Sequence, residues 1–314
     1  MTTIQDIADK MGVSKSTVSK ALNDAPDISE VLRKQVLETA VALGYTKLRR
    51  YKKPTKKVCI IIEKENMRYQ EPHHFAYDIL VGFRQMAEPA GFDVEIVPVD
   101  IKTQRSQHYD VFMLKHDYIG AFVVGFSLSD PWIQDFKISR TPAVLFDNYI
   151  VGNPSTAYVG IDNEEGMELA VSYLAGLGHR KIAYLGVDNS LVFSADRKTG
   201  YMTALISHGL TVQPEYCIEV PAASQNEFQE LRSEERPTAV LVSDDILALS
   251  LERICIEADI SIPEDLSILS FNNSLFARLT SPQLTSIDIN SGQLGMEAAT
   301  QMISHIENPS LPAT

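Results

Sequence analysis

Cysteine is scarce in this chain: Cys59, Cys217 and Cys255 are the only three in 314 residues. Their wide separation offers none of the paired spacings of a zinc site, and their odd number argues against a disulfide framework. A reducing compartment is expected. An apolar leader is missing, because residues 1–10 are polar, and no run approaches the roughly 18 apolar residues of a bilayer span. A cytoplasmic location with no membrane partner follows as an expectation. Catalytic signatures are missing as well: there is no G-x-S-x-G, P-loop, H-E-x-x-H or G-x-G-x-x-G. His73 with His74, and His108 with His116, lack a third ligand at a recognisable spacing. No enzyme activity, cofactor or metal is expected. With 45 % hydrophobic and 22 % charged residues the composition is that of a globular protein, which excludes a disordered or fibrous chain.

Positive charge is short overall but concentrated. The net charge of −13 alone would argue against a nucleic-acid partner, because phosphate contacts need Lys and Arg. Residues 1–57 nevertheless hold 12 Lys+Arg against 6 Asp+Glu, a net of +6, which leaves 16 against 35, a net of −19, for the remainder. A basic head on an acidic body is the charge pattern of a nucleic-acid-binding arm.

The head reads as three short helices. Ile4, Ile7, Ala8 and Met11 share one face behind a Thr3–Asp6 capping pair. Gly12 ends that helix and Ser14 is placed to cap the next. From 14 to 23, Val18, Ala21 and Leu22 form an apolar stripe that leaves Lys15, Ser16, Ser19 and Lys20 on the polar face. Ser29 then caps a third helix with Leu32, Val36, Ala40 and Leu43 on one side, ended by Gly44. In a helix-turn-helix the second helix enters the major groove, where Lys15, Ser16 and Lys20 can reach base edges. Ser14 and Asn23 suit phosphates. Thr3, Thr17 and Ser19, with Lys52 and Lys53 beyond the head, complete the candidate DNA-binding set.

Residues 47–57 carry seven basic residues and one proline, and read as a linker. Beyond it, apolar runs at 58–62, 94–97, 121–124, 143–146, 182–185, 239–242 and 268–271 read as buried parallel strands. Between several of them lie amphipathic helices such as 75–90, 164–177 and 246–259. This alternation predicts doubly wound α/β units, and seven strands over this length suit two lobes with a ligand-binding cleft.

The stretch from Ile4 to Asn23, with its Gly12-Val13-Ser14 and Thr17-Val18-Ser19 triplets, closely resembles the headpiece of the LacI/GalR family of transcription regulators. The resemblance continues at Gly44-Tyr45, at Gly178-His179-Arg180-Lys181-Ile182 and at Arg197 to Tyr201. It also takes in Pro237 to Asp245, Ile262 to Ile268 and Ser281 to Ile287, and so covers nearly the whole chain. It implies an all-α helix-turn-helix headpiece followed by an α/β two-lobed periplasmic-binding-protein-like domain with parallel sheets. The expected division is a headpiece at 1–46, a linker at 47–57, one lobe at 58–160 with 290–308, and a second at 161–289.

The resemblance further implies a homodimeric regulator, chiefly a repressor, on palindromic double-stranded operator DNA, controlled by a small effector between the lobes. A carbohydrate is the first expectation for that effector and a purine or nucleoside the alternative. By position, Arg197 matches the family arginine that reaches ligand oxygens, and Asp147 follows a strand at the end where such lobes bind ligands. Asp244 stands where the family often has Asn, and Asn272 where many members have Asp. Phe75 and Phe193 match pocket-facing segments, with Tyr77 nearby. The segment after Tyr45 departs from the family pattern, because Leu48, Tyr51 and Pro54 replace the residues of its minor-groove hinge helix; a proline there suits phosphate binding by the surrounding lysines better than a wedge into the base steps. Two rival classes share the α/β body, a transport solute-binding protein and an enzyme. The basic head speaks against the first, and a search for turnover of candidate ligands would expose the second.

Overall fold

The computed structural model describes residues 2–23, 25–45, 56–72, 74–188, 192–221 and 236–308. Three helices open the chain: α1 (Ile4–Met11), α2 (Lys15–Leu22) and α3 (Glu30–Ala42). Each begins at the side chain expected to cap it. Thr3 and Asp6 form a reciprocal capping box, the Ser14 hydroxyl accepts from the amide of Thr17 at 3.0 Å, and Ser29 accepts from Leu32 at 3.3 Å. Gly12, at φ 65°, takes the left-handed conformation that closes α1 and turns the chain toward α2. Ile7, Ala8, Val18, Ala21, Val36, Leu37 and Ala40 meet in one buried core.

Two five-stranded parallel sheets follow. The first uses β1 (Lys56–Glu63), β2 (Phe92–Val99), β3 (Ala121–Val124), β4 (Ala143–Phe146) and β5 (Thr156–Val159) in the order β2-β1-β3-β4-β5. The second uses β6 (Ile182–Asp188), β7 (Cys217–Pro221), β8 (Ala239–Val242), β9 (Ser267–Phe271) and β10 (Thr285–Ile287) in the order β10-β9-β8-β6-β7. Read from the β7 edge, the second order repeats the first strand for strand, so the body is one topology used twice.

The longer helices are α4 (Phe75–Ala87), α8 (Asn163–Gly176), α9 (Val192–Ser207), α10 (Asp245–Glu257) and α11 (Ser291–Glu307), and the shorter ones α5 (Ile101–Ser106), α6 (Tyr109–Lys115) and α7 (Trp132–Phe136). The chain divides into two compact units. Unit 1 is Met1–Met67, Gly82–Val159 and Gly295–Thr314; unit 2 is Arg68–Val81 and Gly160–Leu294. Tyr109, Phe112, Trp132 and Phe136 build the aromatic core of unit 1 around Cys59 and Ile61. Met167, Tyr184, Tyr201 and Phe271 pack one side of the second sheet, and Val240, Leu247, Leu251 and Ile268 the other.

Three strands escape the sequence reading: β5, β7 and β10. All lie at sheet edges, where only one neighbour must be satisfied and a strand need not be uniformly apolar. One boundary also moves. Lys56 and Lys57, read as linker, open β1 and pair in register with Phe92 and Asp93. Their charges are met by Glu307 at 2.9 Å and Glu95 at 2.8 Å. The rest of the basic linker, including Lys52 and Lys53, lies outside the described residues.

Candidate functional site

On the head, burial of Val18 and Ala21 against α1 and α3 turns the opposite face of α2 outward. Ser14, Lys15, Ser16, Lys20 and Asn23 are exposed, Thr3 is exposed at the start of α1, and Thr17 and Ser19 are half-buried. The two lysines differ. Lys20 is joined to Asp27 in the loop before α3 at 2.5 Å, which lowers the Asp27 pKa below the ordinary carboxylate range. A surface pair of this kind is worth little and yields readily to a phosphate or base edge. Lys15 is exposed, and its position in the first turn of α2 is the one from which recognition helices reach bases. Ser14 and Asn23 serve locally as well: the Ser14 hydroxyl caps α2, and the Asn23 amide donates to Ser19 Oγ at 3.3 Å.

In unit 2 the strand ends gather polar groups around Arg197 of α9. The guanidinium is almost fully buried. Its Nε donates to Asn163 Oδ1 at 2.8 Å, Nη1 to the Ser243 carbonyl at 2.5 Å and Nη2 to Asn272 Oδ1 at 3.3 Å, while its plane lies 3.8 Å from the centroid of Phe271. One side chain thus ties the N-terminus of α8 to the C-terminal ends of β8 and β9. In a sheet of this order the strand sequence reverses between β6 and β8, the place where open α/β sheets bind ligands.

Asp244 stands beside this hub and is partly committed: Oδ1 accepts from the Leu247 amide at 2.9 Å and caps α10. Burial raises its pKa, and Arg197 nearby acts in the opposite direction. The adjacent Asp245, which the sequence reading passed over, is fully buried. Its carboxylate accepts from Ser270 Oγ at 2.5 Å, Ser286 Oγ at 2.8 Å and the Ser274 amide at 2.6 Å. It fixes the turn after β9 and thereby the backbone of Asn272. Only its place one residue after the strand-end Asp244 signals it in the sequence.

In unit 1, Asp147 follows β4 with φ 54° and is half-buried. The neighbouring Asn148 is buried and donates through Nδ2 to the Phe126 carbonyl at 2.8 Å. At the end of β1 stands a carboxylate that the sequence reading missed, Glu63, and in the loop after β3 another, Asp130; both are buried. Burial raises both pKa values, and the charge of Asp130 adds to the rise at Glu63. A buried acid ending a run of five apolar residues is the signal that could have marked Glu63. Phe75, at the start of α4, stands in an aromatic cluster with His74 at 4.7 Å and Tyr69 at 6.1 Å between centroids. Phe193 falls in α9, but its side chain lies outside the described residues, as does His73. Tyr77 is half-buried on α4. Among the described residues no group of three or more His, Cys, Asp or Glu is arranged to hold a metal, and no helix is long and apolar enough to cross a membrane.

Comparison with known proteins matches each half of this architecture. Residues 3–47 match the model for bacterial regulatory proteins of the lacI family, and residues 171–314 match that for a periplasmic binding protein-like domain. The chain thus carries the DNA-binding domain of the LacI family. The probable HTH-type transcriptional repressor ExuR of Bacillus subtilis is 27 % identical, over 100 % of this chain and 94 % of its own length. Catabolite control protein A of Priestia megaterium is 28 % identical over 91 % and 86 %. The HTH-type transcriptional repressor PurR of Mannheimia succiniciproducens is 26 % identical over 98 % and 92 %. Among solved structures, a complex of the transcriptional regulator CelR with cellobiose superposes with a TM-score of 0.72 at 23 % identity, covering 100 % of this chain and 96 % of that one. A putative LacI regulator from Bacillus cereus subsp. cytotoxis gives 0.70 at 25 % identity, covering 83 % and 93 %. With this domain at its N-terminus the protein is a DNA-binding transcription regulator.

Proposed function

We propose that this regulator is a repressor that binds a palindromic operator as a homodimer and changes its operator affinity when a small polyhydroxylated ligand, a carbohydrate, occupies the strand ends of the body. Lys15, Ser16 and Lys20 read base edges, while Thr3, Ser14, Thr17, Ser19 and Asn23, with Lys52 and Lys53 beyond the head, hold phosphates. The proposed division is a headpiece at 1–46, a linker at 47–55, and lobes at 56–160 with 290–308 and at 161–289, the first lobe starting where β1 does. The protein acts in the cytoplasm and catalyses no reaction.

The observation that carries the effector reading is the Arg197 hub. Arg197, Asn272 and Asp244 place donors and acceptors together at one strand edge, and Phe271 stacks on the guanidinium. Neighbouring hydroxyls, which both donate and accept, match such a mixed set. Asp147, Phe75 and Phe193 complete the proposed contacts. The cellobiose held by the structural neighbour points the same way. A purine ligand is the second reading, favoured by the Tyr69–His74–Phe75 aromatic cluster, on which a flat base could stack.

A thermal-shift panel of mono- and disaccharides, sugar phosphates and nucleobases decides between them. A true effector at about 100 times its Kd adds roughly 2.7 kcal/mol to folded stability. Stabilisation by sugars supports the first reading, by nucleobases the second, and by neither class contradicts both.

A further inference from the structure

The helix α6 is buried from both sides. Six consecutive residues, Tyr109 to Leu114, have almost no exposure, although a short helix covering a sheet should leave one face in water. Tyr109, Phe112 and Met113 account for the inner side, where they pack on Cys59, Trp132 and Phe136 of the unit 1 core. Val111 and Leu114, at i and i+3, point elsewhere. They belong to the apolar core of the DNA-reading head, with Val36, Leu37 and Ala40 of α3.

The seam extends beyond those two side chains. Lys34 of α3 donates to the Ser106 carbonyl at 3.4 Å. At the other end of α3, Gly44 adopts φ 72°, and a Cβ there would lie 1.9 Å from Arg140 Nη1, so the guanidinium rests directly against the glycine. Arg140 is brought there by α6 itself, because the Asp110 carboxylate accepts from the amides of Arg140 and Thr141, each at 3.0 Å. Val41, Gly44 and Tyr45 line one small cavity together with Leu114, Arg140 and Pro142. All these contacts use α3 and the turn after it. The outward face of α2 stays open, with Lys15 and Ser16 exposed.

We propose that α6 is a docking seat for the third helix of the head, so that the orientation of the DNA-reading helix is set by direct α3–α6 packing in addition to the connecting segment. The contact orients α2 without masking it. Because α6 also packs on the aromatic core of unit 1, a rearrangement of that core moves the seat and the head with it. This regulatory role rests on α2 reading DNA, but the docking itself does not, and it is tested without DNA.

The test is amide relaxation by NMR on the intact, DNA-free protein. In the wild type, α1 to α3 share the rotational correlation time of unit 1. Leu114→Asp places a charge in the seam and shortens the correlation time of the head severalfold, whereas Leu114→Ala gives a smaller change. Trp132, the single tryptophan, packs on Phe112 at 5.1 Å and reports whether α6 stays seated on the lobe; its emission is unchanged in both variants. A wild-type head that already tumbles independently overturns the proposal, whatever the variants do. So does a Leu114→Asp head that still tumbles with unit 1.

Discussion

Asp147 and Asn272 occupy one position in two copies of the same topology. Each follows the fourth strand of its sheet, each has a positive φ (54° and 104°), and each donates its amide to the last residue of the neighbouring edge strand, Val159 at 3.0 Å and Ile287 at 2.9 Å. Residues other than glycine adopt such backbone rarely, Asp and Asn least reluctantly, and strained positions of this kind gather where ligands bind. The repetition explains why both sheets turn a polar side chain out at the same strand end.

Asp147→Gly separates function from fold. Glycine accepts φ 54° without strain, and the relief offsets its greater entropy loss on folding, so stability changes by less than about 1 kcal/mol. Effector affinity, measured by titration calorimetry once a ligand is identified, falls about tenfold or more. Unchanged affinity removes Asp147 from the site.

Arg197→Ala has a different signature. It leaves the acceptors of Asn163, Ser243 and Asn272 without this donor inside the protein, and a buried polar group left unsatisfied costs about 1–3 kcal/mol. Denaturant unfolding shows destabilisation of unit 2, effector response is lost, and ligand-free operator binding persists. A variant that still responds to effector contradicts the role given to the hub.

On the head, Lys15→Ala relaxes discrimination at one base pair of each half-site, by the roughly 1–3 kcal/mol of a good base contact. Neutralising Lys52 and Lys53 instead weakens all sequences alike and flattens the logarithmic salt dependence by about 0.9 per lost phosphate contact. Competition binding at several salt concentrations separates the two effects.

Buried Glu63 carries a pH signature. Its folded-state pKa is raised by burial first and then by the neighbouring charges of Glu65 and Asp130, so its contribution to stability is full below the ordinary carboxylate range and is lost as pH rises through the raised value. Glu63→Gln keeps an oxygen to accept from the Glu65 amide, now at 2.7 Å, but cannot ionise. The variant therefore melts higher than wild type at pH 8, and the gap closes toward pH 4. A constant gap across that range contradicts a raised pKa.

The head was legible in the sequence almost residue by residue, because caps and helix stops are local chemistry: Thr3 with Asp6, Gly12, Ser14 and Ser29 each do what their positions announce. Central strands were legible because burial on both faces demands unbroken apolar runs such as 121–124 and 239–242. The edge strands β5, β7 and β10 were not, since an edge relaxes that demand. The polar positions were only partly legible. Arg197, Asp147 and Asn272 could be placed by resemblance, but the burial of Glu63 and Asp245 depends on what packs over them, and that is a property of the tertiary fold. The docking of Val111 and Leu114 on α3 was invisible for the same reason, as their spacing fits any short helix.

The most direct test is selection from random DNA duplexes with the intact chain, followed by sequencing, for wild type and Lys15→Ala. An enriched inverted repeat whose half-sites lose preference at one base pair in Lys15→Ala is the expected result. Retention of duplexes without sequence enrichment, or the same motif at the same strength with Lys15→Ala, would contradict the reading of α2 as the helix that recognises an operator.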